Sequence, residues 1–300
     1  MISSSNKQAQ AIKRAQPWLG TLVSICVQGL AEQEAHRAIE AAFGEIATVH
    51  RLMSFHDNES DLGRLNRAGV GDPIEVHSHT YEVLRQAVRM SAASKGCFDV
   101  AVGADLVEWD LLPRSARTRE IPHGSWEDIE LLSGNRVAFR RSLCVDLGGI
   151  AKGFAVDRAT DCLRAHGATQ TVVNAGGDIR VQGKDAEPIQ LSSESAEERM
   201  PVLELLDGSV ASSSGHLQRR WHRGRFCGPH VDGVHHTPAA TDRFVCVTAA
   251  HCIIADALTK VVMVHGAESQ HVLRLFDASA YFHDPGQAWQ EIETESAIAR

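Results

Sequence analysis

The sequence has no excess of positive charge: 30 lysines and arginines stand against 38 aspartates and glutamates, a formal net charge of -8. A nucleic-acid surface depends on lysine and arginine in excess to neutralise phosphates, so nucleic acid is not an expected partner. It also lacks cysteine pairs. Cys26, Cys97, Cys144, Cys162, Cys227, Cys246 and Cys252 lie far apart, odd in number and without a CxxC. That pattern is neither a disulfide framework nor a zinc site. Most of these thiols sit in apolar runs, where they pack as small hydrophobes, and a reducing compartment fits them best. No apolar run reaches about 18 residues, so no membrane-spanning helix is expected. Internal repeats and low-complexity tracts are absent too.

Lys13 and Arg14 followed by the apolar run from Trp18 to Val27 imitate a secretion signal. Gly20, Thr21 and Ser24 interrupt that run, its residues favour strands, and no A-x-A-like cleavage site follows. The reading is a first β-strand after a flexible tail over residues 1–16, in a cytoplasmic protein forming one domain over 1–300, with room for two subdomains.

With 43% hydrophobic and 23% charged residues the chain can bury a core. Apolar residues from Ala31 to Met53 recur at three- and four-residue steps, the stripe of a helix about six turns long. MSFHDNESDLGRLNRAG is polar and turn-rich and reads as a loop with a short helix. A second amphipathic stretch runs from Ser78 to Ser94. The polar stretch holding Pro113, Arg114, Arg117, Arg119 and Pro122 reads as an exposed loop. Arg136 to Asp146 alternate as paired strands, Ile150 to His166 carry a helical stripe closed by Gly167, and Thr169 to Val181 return to strand. Lys184 to Met200 are acidic and serine-rich, a surface insertion. Strands then lead to the helix Cys252 to His265. Hairpin-length and helical connections mix without regular βαβ alternation, which favours an α+β fold with mixed or antiparallel sheets and packed helices.

The chemistry concentrates in VDLGGIAKGFAVDRATDCLRAHGATQTVVNAGGDIRVQG, from Val145 to Gly183. Gly148 and Gly149 let a ligand approach the backbone with no Cβ in the way. The helix beginning near Ile150 offers N–H groups and a positive dipole end, and Lys152 adds a full charge. Together they make a phosphate or pyrophosphate seat. It is not a Rossmann fingerprint, since G-x-G-x-x-G is missing, and not a P-loop. Ser212, Ser213 and Ser214 sit in no GxSxG elbow. The patch His216, His222, His230, His235 and His236 is rich in a transition-metal ligand but lacks HExxH or a similar spacing.

This stretch resembles the signature of the FAD:protein FMN transferase (ApbE) family, an Asp-Leu-Gly-x-Ile-Ala-Lys-Gly-Tyr-Ala-Val-Asp run followed by Asn-x-Gly-Gly-Asp. Asp146 to Asp157 and Asn174 to Asp178 match it, with Phe154 in place of tyrosine. Four further blocks resemble the family's in order. WLGTLVSICV is similar to the Met-Gly-Thr strand, MSFHDNESDLGRLN to Met-Ser-x-Tyr-x-x-x-Ser-Glu-x-x-x-Leu-Asn, and CFDVAVGADLVEWD to Phe-Asp-x-Thr-Val-Gly-Pro-Leu-Val-x-x-Trp. SSSGH resembles Thr-Ser-Gly. A last block, HCIIADALTKVVMVHG, is similar to the helix carrying Ala-Asp-Ala-Leu-x-Thr.

The resemblance implies a Mg²⁺-dependent enzyme that splits FAD, releases AMP and attaches FMN through its phosphate to a threonine or serine of an acceptor flavoprotein. By match, FAD contacts fall on Leu19, His56, Cys97, Phe98, Asp99, Asp146 and Lys152, with Gly176, Gly177 and Asp178 in the matching turn. Asp256 would hold the metal by its carboxylate and Gly149 by its carbonyl, with Thr259 as a further ligand. His230 would contact FAD or take the acceptor's proton, a task its ordinary pKa near 6.5 suits.

Three departures stand out. Lys260 occupies the place of the family's threonine or serine one turn after the metal-binding aspartate, and an ammonium cannot ligate Mg²⁺. The family's His-Ile-Ile-Asp-Pro-x-Thr-Gly-x-Pro loop corresponds to HVDGVHHTP, with Gly233 for proline and His235 and His236 for Thr-Gly. His230 stands two residues before Asp232 instead of three. These departures support a second reading, a flavin-binding relative without transfer activity that acts as carrier or sensor.

Overall fold

The computed structural model describes residues 11–114, 123–191, 201–216, 218–239 and 242–294. Its centre is an eight-stranded sheet made of β1 (Ile12–Trp18), β2 (Thr21–Gln28), β3 (Gln170–Ala175), β4 (Asp178–Gln182), β5 (Ser209–Ser214), β6 (Phe244–Ala249), β7 (Ser279–His283) and β8 (Gln290–Ile292). Spatial order follows chain order, and each neighbouring pair is antiparallel. The α+β expectation holds.

The first strand of the sequence reading is in fact a hairpin. Leu19 and Gly20 both adopt positive φ, 55° and 74°. That is the turn geometry matching the twist of two antiparallel strands, so the apolar run after the turn pairs back onto residues 12–18. Residues 12–16 therefore belong to the sheet, and only residues 1–10 of the expected tail lie outside the described residues.

Helices α1 (Glu32–Met53), α2 (Asp61–Arg67), α3 (Ser78–Ala93), α4 (Gly103–Glu108), α5 (Ala151–Ala165), α6 (Cys252–His265) and α7 (Gln270–Leu275) complete the architecture. The stripe Ala35, Ile39, Ala42, Phe43, Ile46 and Val49 is buried in a core shared with Val23, Ile25 and Val27 of β2 and with α5 and α6. Ser60 starts α2 by accepting the Gly63 N–H at 2.8 Å.

The expected paired strands over Arg136 to Asp146 shorten to Arg136–Phe139, which pairs with Ile129–Leu132 and Ile74–Glu75. Residues 140–146 leave this small sheet because their backbone is taken elsewhere: Asp146 N–H goes to Val100 O and Asn66 clamps Val145 on both sides. Thr169 to Val181 is not one strand but the hairpin β3–β4, folded at Gly176 and Gly177. The acidic insertion carries structure at its flanks. Glu187–Gln190 pairs with Val202–Leu205, and their Leu203 and Leu205 cover Val181, Val210 and Cys246 on the sheet face away from the helices. Residues 192–200, and 115–122 of the expected exposed loop, lie outside the described residues.

Candidate functional site

The site lies where the N-terminal ends of α5 and α6 meet. α5 and α6 touch through Gly153, where a Cβ would fall 2.3 Å from the Cys252 carbonyl oxygen. Any larger residue would push the helices apart. Asp157, the last residue of the matching run, reaches across this contact. Its two carboxylate oxygens accept the N–H groups of Cys252 and Ile253, each at 2.9 Å, and the Arg180 guanidinium at 2.7 Å. Asp157 thus caps α6 from a neighbouring helix, a role that spacing alone did not disclose. In return Asp256, in α6, accepts the Gly153 N–H at 3.0 Å. The expected free amides of the α5 start are partly spent: Ala151 N–H bonds Leu147 O and Gly153 N–H bonds Asp256.

Around this junction the structure gathers most residues the sequence singled out. Asp146 donates its N–H to Val100 O, its neighbour Val145 is clamped by Asn66, the last residue of the MSFHDNESDLGRLN block, and its carboxylate accepts the Gly148 N–H. Burial pushes its pKa up, against the Gly148 N–H and the charges of His56 and Lys260. Gly149 lies beside Phe98 and Lys260. Lys152 forms an ion pair with the fully buried Asp178. Burial works against the ammonium, but the carboxylates of Asp256 and Asp178 outweigh it and hold the Lys152 pKa up. Asp178 is itself pushed up, to about 6, by burial and by Asp256, with Lys152 opposing. The turn before it is closed by Asn174, which accepts the Gly177 N–H at 3.0 Å. A Cβ at Gly176, whose φ is 68°, would fall 2.4 Å from Thr21 Oγ1, so the Leu19 turn sits beside it. A hollow of about 520 Å³ lined by Trp18, Leu19, Thr21 and His50 opens there.

Asp256 is fully buried. Burial opposes its ionisation, but Lys260, Lys152 and the Gly153 N–H hold its pKa below the usual carboxylate range. His230 joins the same group. Burial, then Lys260 and Lys152, push its pKa down to about 3, so the imidazole is neutral at pH 7. Its Nδ1 is buried with no hydrogen-bond partner among the described residues.

Cys97 and Asp99 contribute to the frame around these groups. The Cys97 thiol is buried, its pKa pushed up to about 12 mainly by desolvation, and its carbonyl accepts the Gly233 N–H at 3.1 Å. Asp99 spends its carboxylate on the N–H groups of Ala101 and Trp126, and burial raises its pKa to about 6.

The metal expectation meets a filled seat. Lys260 Nζ donates to Asp256 Oδ1 in a short ion pair and to Asp256 O at 3.0 Å. The remaining carboxylate oxygen takes the Gly153 N–H. Thr259, named as a further ligand, turns away: its hydroxyl donates to Asp256 O at 2.7 Å and lies 2.9 Å from Ser213 Oγ in the core. One residue along a helix is a rotation of about 100°, which puts Thr259 off the ligand face. The donors at Asp256 do not fit Mg²⁺, which needs near-octahedral oxygen ligation.

The histidine patch does not converge. His216 faces Asp242, His222 faces Glu108, and His235 pairs with Asp232. His236, held at φ 52°, places Nδ1 2.8 Å from the buried Asp105, which also faces His123 at 3.3 Å. Asp105 and His236 stand where the family pattern has leucine and glycine, so two departures far apart in sequence form one contact. The sequence reading singled out His236 and passed over Asp105.

A helix-backed antiparallel sheet thus carries two lysine–aspartate pairs with buried carboxylates, Lys152–Asp178 and Lys260–Asp256, where the starts of two helices meet. The profile of the ApbE family matches residues 19–282, and the chain belongs to that family. It is 28% identical over 290 residues to the FAD:protein FMN transferase of Vibrio cholerae, covering 89% of this chain and 85% of that one. It is 27% identical over 291 residues to the same-named protein of Treponema pallidum, covering 87% and 80%. Among solved structures, the ApbE protein of Thermotoga maritima superposes with a TM-score of 0.84 at 25% identity, over 97% of this chain and 100% of that one. Flavin transferase ApbE from Vibrio cholerae gives 0.78 at 25% identity, over 96% and 98%. Among the described residues no helix is long and apolar enough to cross a membrane.

Proposed function

We propose that the chain is a FAD:protein FMN transferase that joins FMN to a serine or threonine of an acceptor flavoprotein and releases AMP. The observation that carries this reading is the convergence of Asp146, Gly149, Lys152, Asp178, His230 and Asp256 on one junction, with His230 Nδ1 lacking a partner among the described residues. Relatives bearing that activity in their names support it. Seven free cysteines fit a cytoplasmic setting.

In the reaction the acceptor hydroxyl oxygen bonds to the flavin-side phosphorus, and the bridging P–O bond breaks with its electron pair leaving on AMP. The hydroxyl proton must pass to a base. Little covalent chemistry is asked of the protein; positioning and charge neutralisation do most of the work. Lys152 supplies a fixed cation held by Asp178, and the Gly148–Gly149 turn lets the pyrophosphate approach the backbone. His230 is neutral and able to accept a proton. In the free protein burial, and then two lysines, depress its basicity, and a bound pyrophosphate would offset the lysines' part of that effect. Thr259 and Ser213 hold α6 against β5.

The test is incubation of the protein with FAD and an acceptor bearing the target hydroxyl. Stoichiometric AMP by chromatography together with FMN mass on the acceptor is the expected result. FAD bound but left intact would favour the carrier or sensor reading, for which the loop substitutions are the evidence.

A further inference from the structure

Lys260 is the feature that the family pattern does not account for. Its side chain is only 12% exposed and lies in the third turn of α6. The stem crosses Gly149, where a Cβ would lie 3.4 Å from Lys260 Cε. The ammonium ends on Asp256 Oδ1 and Asp256 O, and its charge is felt by Asp146, Asp178 and His230. Gly149 and Asp256 are two of the three residues expected at the metal, and the third, Thr259, faces the core. One lysine therefore occupies the position between Gly149 and Asp256 and uses the oxygen that a metal would need.

We infer that Lys260 is the resident cation of this site, a tethered ammonium that replaces the dication in neutralising the pyrophosphate. This rests on FAD being the ligand. Lys260 brings one positive charge where a divalent ion would bring two, and it acts beside Lys152, which the family pattern also has. An ammonium has three N–H donors, so Lys260 can keep Asp256 and still donate to a non-bridging phosphate oxygen. It contributes charge and hydrogen bonds but no Lewis-acid coordination, which suits a loose phosphoryl-transfer transition state whose charge is spread over the oxygens. The groups facing it from each packed element are Asp146 before α5, Lys152 in α5, Asp178 at β4, His230 in the loop and Asp256 in α6. The balance among these fixed charges replaces a soluble ion that would have to be captured.

The experiment compares the unaltered protein with Lys260→Thr in two titrations. In the first, Mn²⁺ is titrated without flavin and followed by electron paramagnetic resonance. The unaltered protein is expected to leave Mn²⁺ free, and Lys260→Thr, with the family's residue restored beside Asp256, is expected to bind it. In the second, FAD affinity is measured with chelator and with Mg²⁺. The unaltered protein should bind FAD equally in both, while Lys260→Thr should lose on the order of tenfold or more in chelator and regain it with Mg²⁺. If the unaltered protein binds Mn²⁺ stoichiometrically, or gains tenfold in FAD affinity from Mg²⁺, the inference is overturned. If neither protein binds FAD under any condition the transferase reading fails, and the Mn²⁺ titration still decides whether Lys260 fills a cation seat. Should Lys260→Thr not fold, the unaltered protein alone decides through its own response to the two ions.

Discussion

From Asp146 to Asp178 the two glycine turns close on near neighbours, the Gly148 N–H on Asp146 and the Gly177 N–H on Asn174, although α5 between them is tied to α6 through Gly153 and Asp157. The facing wall, made of residues 230–238 and α6, depends on pairs distant in sequence. His236 meets Asp105, Gly233 meets Cys97, and Ser213 meets Thr259. The first wall keeps the family's residues almost one for one and the second departs from them at Gly233, His235, His236 and Lys260. A wall whose geometry is specified by backbone-to-side-chain bonds within a few residues tolerates little change. A wall built from distant pairs can exchange both partners together.

Removing charge from the junction should have the largest effect. Asp256→Ala leaves Lys260 and Lys152 without their shared counter-charge and orphans the Gly153 N–H. Breaking a buried pair in this way costs about 3–5 kcal/mol, measurable by urea unfolding, and FAD affinity should fall with it. Next comes Asp157→Ala, which uncaps α6 and strands Arg180. A loss of about 2 kcal/mol is expected, with Asp157→Asn losing less. If Asp157→Ala were neutral, the account of α6 as held from α5 would break.

The distant-pair wall is tested by a double-mutant cycle on Asp105→Leu and His236→Gly, the residues of the family pattern. His236→Gly alone should destabilise by leaving the buried carboxylate with His123 only, although it relieves a left-handed backbone. The double variant should recover most of that loss, a coupling of about 1 kcal/mol. Additive effects would show that the two departures are independent.

How much of this was legible follows the same division. The Asp146–Asp178 wall was readable because its chemistry lies in one contiguous stretch, and α1, α3, α5 and α6 because their apolar stripes run over whole helices. The hairpin at Leu19 was missed because a leucine at positive φ gives no turn signal. Asp157 was read as part of a motif without its capping role, since the amides it serves are about 95 residues away. Thr259 was placed on the metal, and Lys260 took the carboxylate instead. A lysine four residues after a buried aspartate was the available sign, because that spacing brings the two side chains together.

The smallest expected effects are on pH dependence, where His230 of the facing wall and Asp99 of the surrounding frame should contribute with opposite signs. His230 has a folded pKa of about 3 against an ordinary 6.5. The unfolded chain therefore takes up its proton first, and stability is lost as pH falls below about 6.5. Asp99 is raised from 3.8 to about 6. The folded chain binds that proton first, so its contribution to stability grows as pH falls through 6. His230→Gln should flatten the acid-side loss and Asp99→Asn should steepen it, read from denaturant midpoints between pH 4 and pH 7.

The most direct measurement is a crystal structure of the protein grown with FAD and Mg²⁺ both present. The account predicts pyrophosphate oxygens within hydrogen-bond distance of Lys152 Nζ and Lys260 Nζ, with no ion between Asp256 and the Gly149 carbonyl. A metal seated there with Lys260 swung aside, or flavin bound away from the α5–α6 junction, would contradict it.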